Sequence, residues 1–309
     1  MKAADLRKSI LQAAVQGKLV PQDKNDEPAS ELLKRIQAEK AALVKEGKLK
    51  KERPLPLITE DEIPYDLPEG WEWCRLGTIC LKLTDGTHST PTYTKTGIPF
   101  LSVKDVSTGN INFSAVKFIS ETEHMKLYKR CNPQSGDILL TKVGTTGIPV
   151  IVDTDTEFSL FVSVALLKLS KTNCCLEYLK YLIQSPLVQI QAQENTRGVG
   201  NKNWVLTAIS NTIIVIPPLT EQQRIVTKVD ELMALCDELE AAEKELNALE
   251  NHFAEYLPKS ILQAAVQGKL VTQDKDDEPA SELLKRIQAE KATLIKEGKL
   301  KKEIGRAHV

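Results

Sequence analysis

The sequence is poor in cysteine and histidine and has no long apolar run. Six cysteines (Cys74, Cys80, Cys131, Cys174, Cys175 and Cys236) in 309 residues are too few for a disulfide scaffold, and none form a CxxC pair suited to zinc or redox work. Reduced, mostly buried thiols are expected. The histidines (His88, His124, His252 and His308) are scattered and form no HExxH, so no metal site is expected. Nowhere do about 18 apolar residues run together, which excludes a transmembrane helix. The opening MKAADLRKSI lacks the apolar stretch of a signal peptide, so the expected location is the cytoplasm.

Catalytic signatures are missing too. Each Gly-Lys pair (Gly17, Gly47, Gly268 and Gly298) is followed by Leu, so there is no Walker loop. Val143-Gly144-Thr145-Thr146-Gly147 does not make a dinucleotide fingerprint and reads as a hairpin turn. Asp153 and Asp155 have the chemistry for magnesium, but acidic residues so placed are ordinarily turn formers. The net charge of −1 argues against a uniformly basic nucleic-acid binder, yet it is unevenly spread. Trp71 to Ser210 carries 14 Lys+Arg against 11 Asp+Glu, a mildly basic middle between acidic flanks.

What organises the chain is a repeat. Lys8–Glu52 laid over Lys259–Glu303 matches at all but four of 45 positions: Pro21/Thr272, Asn25/Asp276, Ala42/Thr293 and Val44/Ile295. A whole domain separates the copies, which excludes a solenoid and implies equivalent roles. Each copy reads as two helices. In the first copy, one helix around Leu6 to Gln16 stops at Gly17, and another starts near Pro28 and ends at Gly47. The basic run Lys48, Lys50, Lys51 reads as a solvated tail.

Residues 54–70 form a linker with Pro54, Pro56, Pro64 and Pro68. Strand-like runs follow at Ile98–Val103, Asp137–Val143, Val150–Asp153, Ser159–Leu169 and Ile213–Ile216, with a helix at Leu176–Ile183; residues 71–217 are therefore expected to be a β-rich domain. Thr220 and Gln223 suggest a capping box opening a long helix. Ile225, Leu232, Leu239, Leu246 and Phe253 recur every seven residues, a coiled-coil seam, with Val229, Cys236 and Leu257 between them and Glu243 and Glu250 as interruptions. At 1.5 Å per residue the helix to Leu257 spans about 55 Å, more than one small domain covers. Pro258 is expected to kink or break it.

Three loops in the middle are rich in short polar groups. Thr84 to Gly97 holds six threonines, among them Thr84, Thr87 and Thr90, with His88, Ser89, Tyr93 and Lys95. Thr141 to Gly147 sets Lys142 beside Thr145 and Thr146. Arg197 to Trp204 joins Arg197, Asn201, Lys202 and Asn203 on a glycine-rich backbone. Arg, Lys, Asn, Ser and Thr supply the donors and acceptors that meet base edges and phosphates, and glycine lets backbone amides come close. Three such loops in one mildly basic domain point to DNA.

The order of motifs resembles the DNA specificity (S) subunit of type I restriction-modification enzymes, over nearly the whole chain. The residues are Leu67-Pro68-Glu69-Gly70-Trp71-Glu72-Trp73 with Leu76-Gly77, Gly97-Ile98-Pro99-Phe100-Leu101, and Gly136-Asp137-Ile138-Leu139-Leu140 followed by Val143-Gly144. The most specific is the closing Ile216-Pro217-Pro218-Leu219 with Glu221-Gln222 and Ile225-Val226. The resemblance implies an α+β fold, a β-rich target recognition domain flanked by long helices that form a coiled coil.

Family members typically carry two recognition domains, each reading one half of a bipartite site. Here one is expected, in a half-size form. The divisions are a helical repeat copy at 1–53, the linker 54–70, the recognition domain 71–217, the coiled-coil helix 218–257, the second copy 258–303, and a tail 304–309 that reads as non-native. The resemblance further implies a chain that is not catalytic and holds no cofactor. S-adenosylmethionine would belong to methyltransferase (M) subunits, and ATP and Mg to restriction (R) subunits. The partners implied are double-stranded DNA, the M and R subunits and a second copy of the chain, but no membrane. The alternatives are a stand-alone nuclease or methyltransferase, disfavoured because no Asn/Asp-Pro-Pro-aromatic motif or nuclease carboxylate cluster occurs, and a coiled-coil scaffold, which has no use for polar loops.

Overall fold

The computed structural model describes residues 2–198 and 202–301. It divides into two units, one ending at Ala242 and the other starting at Glu243. The expected non-native tail 304–309 lies outside the described residues.

The first unit opens with α1 (Ala3–Val15) and α2 (Ala29–Lys45). Each ends at a glycine in the left-handed region, Gly17 at φ 67° and Gly47 at φ 72°, as the sequence suggests. After the linker come β1 (Glu72–Arg75), α3 (Leu76–Ile79), β2 (Cys80–Asp85), β3 (Tyr93–Thr94), β4 (Ile98–Leu101), α4 (Val103–Val106), β5 (Lys117–Ile119) and α5 (Glu121–Tyr128). Then follow β6 (Ile138–Thr141), β7 (Pro149–Ile151), β8 (Ser159–Leu160), β9 (Val164–Leu169), α6 (Leu176–Gln184), α7 (Pro186–Asn195), α8 (Leu206–Asn211) and β10 (Ile213–Ile216). α9 (Leu219–Val266) passes from the first unit into the second, which also holds α10 (Ala280–Lys296). The fold is α+β, as expected.

The strands form three sheets, ordered β1-β10, β2-β9-β6-β7 and β3-β5-β4-β8. The middle sheet is a wall between two cores. Ile138, Leu140, Ala165 and Leu167 face α6, α7 and the flanking helices, whereas Leu139, Val164 and Leu166 face a smaller core with Leu101, Phe158 and Leu160. Alternate residues of each strand are thus buried on opposite faces, which is why these strands read as unbroken apolar runs. The expected run Ser159–Leu169 is two strands, broken at Phe161–Ser163. α7 has only Val188 and Ala192 buried, too sparse a pattern to show in the sequence.

The motifs that carry the family resemblance build the frame. β1, from the lead-in, pairs antiparallel with β10, from the closing motif, Trp73 opposite Val215. Trp71 Nε1 donates to Glu221 at 3.0 Å, and Gln222 Nε2 donates to the Pro217 carbonyl at 2.9 Å. The first repeat copy seats on this frame. Ala29 N donates to the Gly70 carbonyl at 2.8 Å, Arg224 pairs with Asp26, and Arg7 bridges Asp237 and Glu240. Thr220 donates its hydroxyl to Asp26, so it ties the copy down and does not form the expected capping box; α9 starts one residue earlier.

The Arg224 guanidinium, chiefly through its hydrogen bond, holds the Asp26 carboxyl below the usual carboxylate range. A carboxyl with a depressed folded-state pKa stabilises the fold above its unfolded value and loses that contribution as pH falls through the folded one. Thermal unfolding should therefore show an acid limb below about pH 4 that Asp26→Asn flattens in calorimetry. An unchanged limb would remove Asp26–Arg224 as a contributor.

The two repeat copies are not in equivalent surroundings. Ile10, Leu11, Leu32 and Ile36 are 7% exposed or less, while their counterparts Ile261, Leu262, Leu283 and Ile287 are at least 45% exposed. α9 is also not broken at Pro258 and continues to Val266. Proline removes one ladder bond and costs about 3 kcal/mol in a helix interior.

The coiled-coil seam divides likewise. Ile225 is buried in the chain's own core together with Val229 and Cys236, and Leu232 packs against them. Only Leu239, Leu246 and Phe253 stay exposed, so the proposed partner seam loses its first half.

Candidate nucleic-acid interface

The three polar loops meet. The first leaves β2, where Gly86 N donates to the Val164 carbonyl at 3.3 Å. Thr87 is clasped by the β8–β9 turn: its N donates to the Leu160 carbonyl, and its carbonyl accepts from Val162 N, each at 2.9 Å. The second is the hairpin between β6 and β7, with Gly144 at φ 81° and Gly147 at φ 85°. Its Lys142 N donates to the Ser163 carbonyl of the same turn at 3.0 Å. The third is bonded to the second, since Gly144 N donates to the Lys202 carbonyl at 2.9 Å and Trp204 N to the Lys142 carbonyl at 2.8 Å. Arg197 and Asn203 pair across it.

Asp85 is the centre of this junction. Its carboxylate, 3% exposed, lies 3.3 Å from the Lys142 ammonium, 2.5 Å from the Arg130 guanidinium and 3.4 Å from the His88 ring. The Lys142 ammonium, which also donates to the Val162 carbonyl, is 4% exposed. A charge in such a place is tolerated only with a partner. Lys142 therefore ties two loops together from inside, and this corrects the expectation that it touches DNA. Thr84 is corrected in the same way, because it is buried in β2.

Other expected contact residues fall into three groups. His88, Ser89, Thr90, Thr145, Arg197 and Lys202 are exposed around the junction, with Thr87, Thr146 and Asn203 half-buried among them. Tyr93 and Lys95 are exposed, but Tyr93 lies in β3 and Lys95 just after it, at the edge of a sheet in which β5 and β4 stand between β3 and β8. Lys117 covers the Tyr93 ring at 4.0 Å. Asn201 lies outside the described residues.

Asp85 and Arg130 were not among the residues the sequence singled out. Arg130 follows α5, and only the adjacent cations Lys129-Arg130 hint at it. Only the fold shows that Asp85 gathers the cations Lys142 and Arg130 from two distant segments.

All six cysteines are free, and burial pushes the Cys80, Cys131 and Cys174 thiols up to about 12, so they stay protonated at neutral pH. No group of three or more His, Cys, Asp or Glu in metal-binding range occurs among the described residues. No helix among them is long and apolar enough to cross a membrane.

A family model described as the type I restriction modification DNA specificity domain matches residues 68–251. Similar curated proteins include two from Escherichia coli. The type I restriction enzyme EcoAI specificity subunit is 36% identical over 96% of this chain, and the EcoEI specificity subunit 37% identical over 96%. The chain spans 57% of the length of each. A chain in a solved type I R-M system has the same fold at a TM-score of 0.50 and 22% identity, over 78% of this chain and 57% of that one.

Proposed function

The chain belongs to the type I restriction-modification DNA specificity family, and from that premise we propose that it reads DNA sequence for partner subunits. The observation that carries this reading is the junction at Asp85, where loops far apart in sequence are bonded into one surface of hydroxyls, amides and cations. The chain is non-catalytic in this reading. Methyl transfer belongs to M subunits with S-adenosylmethionine, and translocation and cleavage to R subunits with ATP and Mg, all in the cytoplasm.

The purified chain should shift double-stranded DNA in a gel with an affinity that falls steeply with salt, because phosphates dominate non-specific binding. It should transfer no methyl group until M subunits are added. Methylation by the isolated chain would contradict the reading, and absence of any DNA shift would favour a protein-only scaffold.

We further propose that one chain reads one half-site and that two chains pair through the exposed part of the seam at Leu239, Leu246 and Phe253. Two identical readers related by a two-fold axis call for an interrupted palindrome. Leu246→Glu should give monomers in light scattering at tens of micromolar, since pairing would bury an unpartnered charge. A wild type that is monomeric at the same concentration would exclude the pairing.

A further inference from the structure

We propose that Arg130 reads a guanine edge in the half-site and that Asp85 is the residue that positions it. This rests on the DNA-reading assignment above and adds to it a residue, its buttress and the base it selects.

Arg130 is held at both ends. Its guanidinium is bound by the Asp85 carboxylate at 2.5 Å through Nη2 and by the Gly86 carbonyl at 3.4 Å through Nη1. Its backbone carbonyl accepts from Lys82 at 2.6 Å, its N donates to the Leu127 carbonyl at 3.1 Å, and Cys131 beside it is buried. Even so, the side chain is 54% exposed. A free surface arginine loses its rotamer freedom when it docks. Here most of that ordering precedes DNA.

The chemistry favours a base over a phosphate. A guanidinium has five N–H donors in a planar fork, and the contacts to Asp85 and Gly86 take one from each terminal nitrogen. Three N–H donors remain, Nε–H among them, enough for the two acceptors O6 and N7 that guanine presents in the major groove. The fork matches a phosphate too, but the adjacent Asp85 carboxylate repels a phosphate's full negative charge more than the neutral edge of a base. Asp85 keeps its own charge tolerable because Lys142 pairs with it from the buried side. One buried carboxylate thus joins the loops and aims the arginine. Its neighbours Gly86 and His88 belong to the first loop, so the base read by Arg130 should adjoin whatever that loop meets.

The test is selection of bound duplexes from a random pool by the full-length chain, for wild type, Arg130→Ala, Arg130→Lys and Asp85→Asn. Wild type should enrich a motif with a guanine that Arg130→Ala loses at that one position, with binding to the best site weakened roughly 10- to 100-fold. Arg130→Lys should keep the wild-type salt dependence without restoring the guanine, which also shows that the loss is not misfolding. Asp85→Asn should relax the same position.

If Arg130→Ala weakens all sequences alike, lowers the salt slope by about one, and is rescued by lysine, the residue contacts a phosphate and the inference is wrong. An Arg130→Ala motif identical to wild type would overturn it as well. A wild type that binds DNA without enriching any motif would instead bring down the DNA-reading assignment, and this inference with it.

Discussion

Asp85→Ala should destabilise the first unit by about 3–5 kcal/mol, the usual cost of removing one partner of a buried ion pair. The Lys142 ammonium at 3.3 Å would be left with the Val162 carbonyl alone, almost out of reach of water. Removing both charges is a different matter. Asp85→Leu with Lys142→Met should recover most of the loss, because apolar groups of similar volume need no partners. Urea midpoints at constant m value for the two single variants and the double one measure this. A double variant as unstable as the sum of the singles would show that the pair is not coupled. The half-exposed Arg130 adds little to this total, since a solvated ion pair contributes only about 0–1 kcal/mol.

Gly86→Ala should separate the first loop from the β8–β9 turn. A Cβ at Gly86 would lie 2.0 Å from the Leu160 carbonyl oxygen and 2.2 Å from its carbon, and backbone atoms cannot step aside as a side-chain end can. Overpacking of this kind costs about 1–3 kcal/mol, and relief requires moving the loop. Specific DNA binding should therefore collapse while salt-sensitive non-specific binding persists. Gly144→Ala is the control. It has open space around it but a φ of 81°, so only the conformational strain of about 1–2 kcal/mol remains. Equal losses of specific binding in both variants would mean that the closeness of Gly86 to Leu160 has no special role.

The frame was more legible in the sequence than the site. Helix ends at Gly17 and Gly47, the paired closing strand Ile213–Ile216 and the hairpin at Gly144 follow from local rules of backbone conformation and apolar periodicity. The residues that resemble the family, such as Trp71, Pro217 and Glu221, turn out to hold the domain's two ends together, which is work that local sequence can announce. The site is built from tertiary contacts. Lys142 and Thr84 have the chemistry of DNA ligands, but whether a lysine faces solvent or a buried carboxylate depends on what lies across from it, here a residue 57 positions earlier in the chain. Arg130 was overlooked for the same reason. The seven-residue period of α9 was correct as a pattern, yet the pattern does not state the partner, and Ile225 finds its own within the chain.

Under the proposed function, the three loops joined at Asp85 read one continuous stretch of DNA. Sequencing the sites methylated when M subunits of the proposed complex are added to the chain, for His88→Ala, Thr145→Ala and Arg197→Ala, one from each loop, tests this reading. Loops bonded to one another can span only a few base pairs of 3.4 Å, so the three variants should relax positions within about four base pairs of each other in the same half-site. Three variants that methylate the wild-type motif unchanged, or that relax positions scattered across both halves, would contradict it.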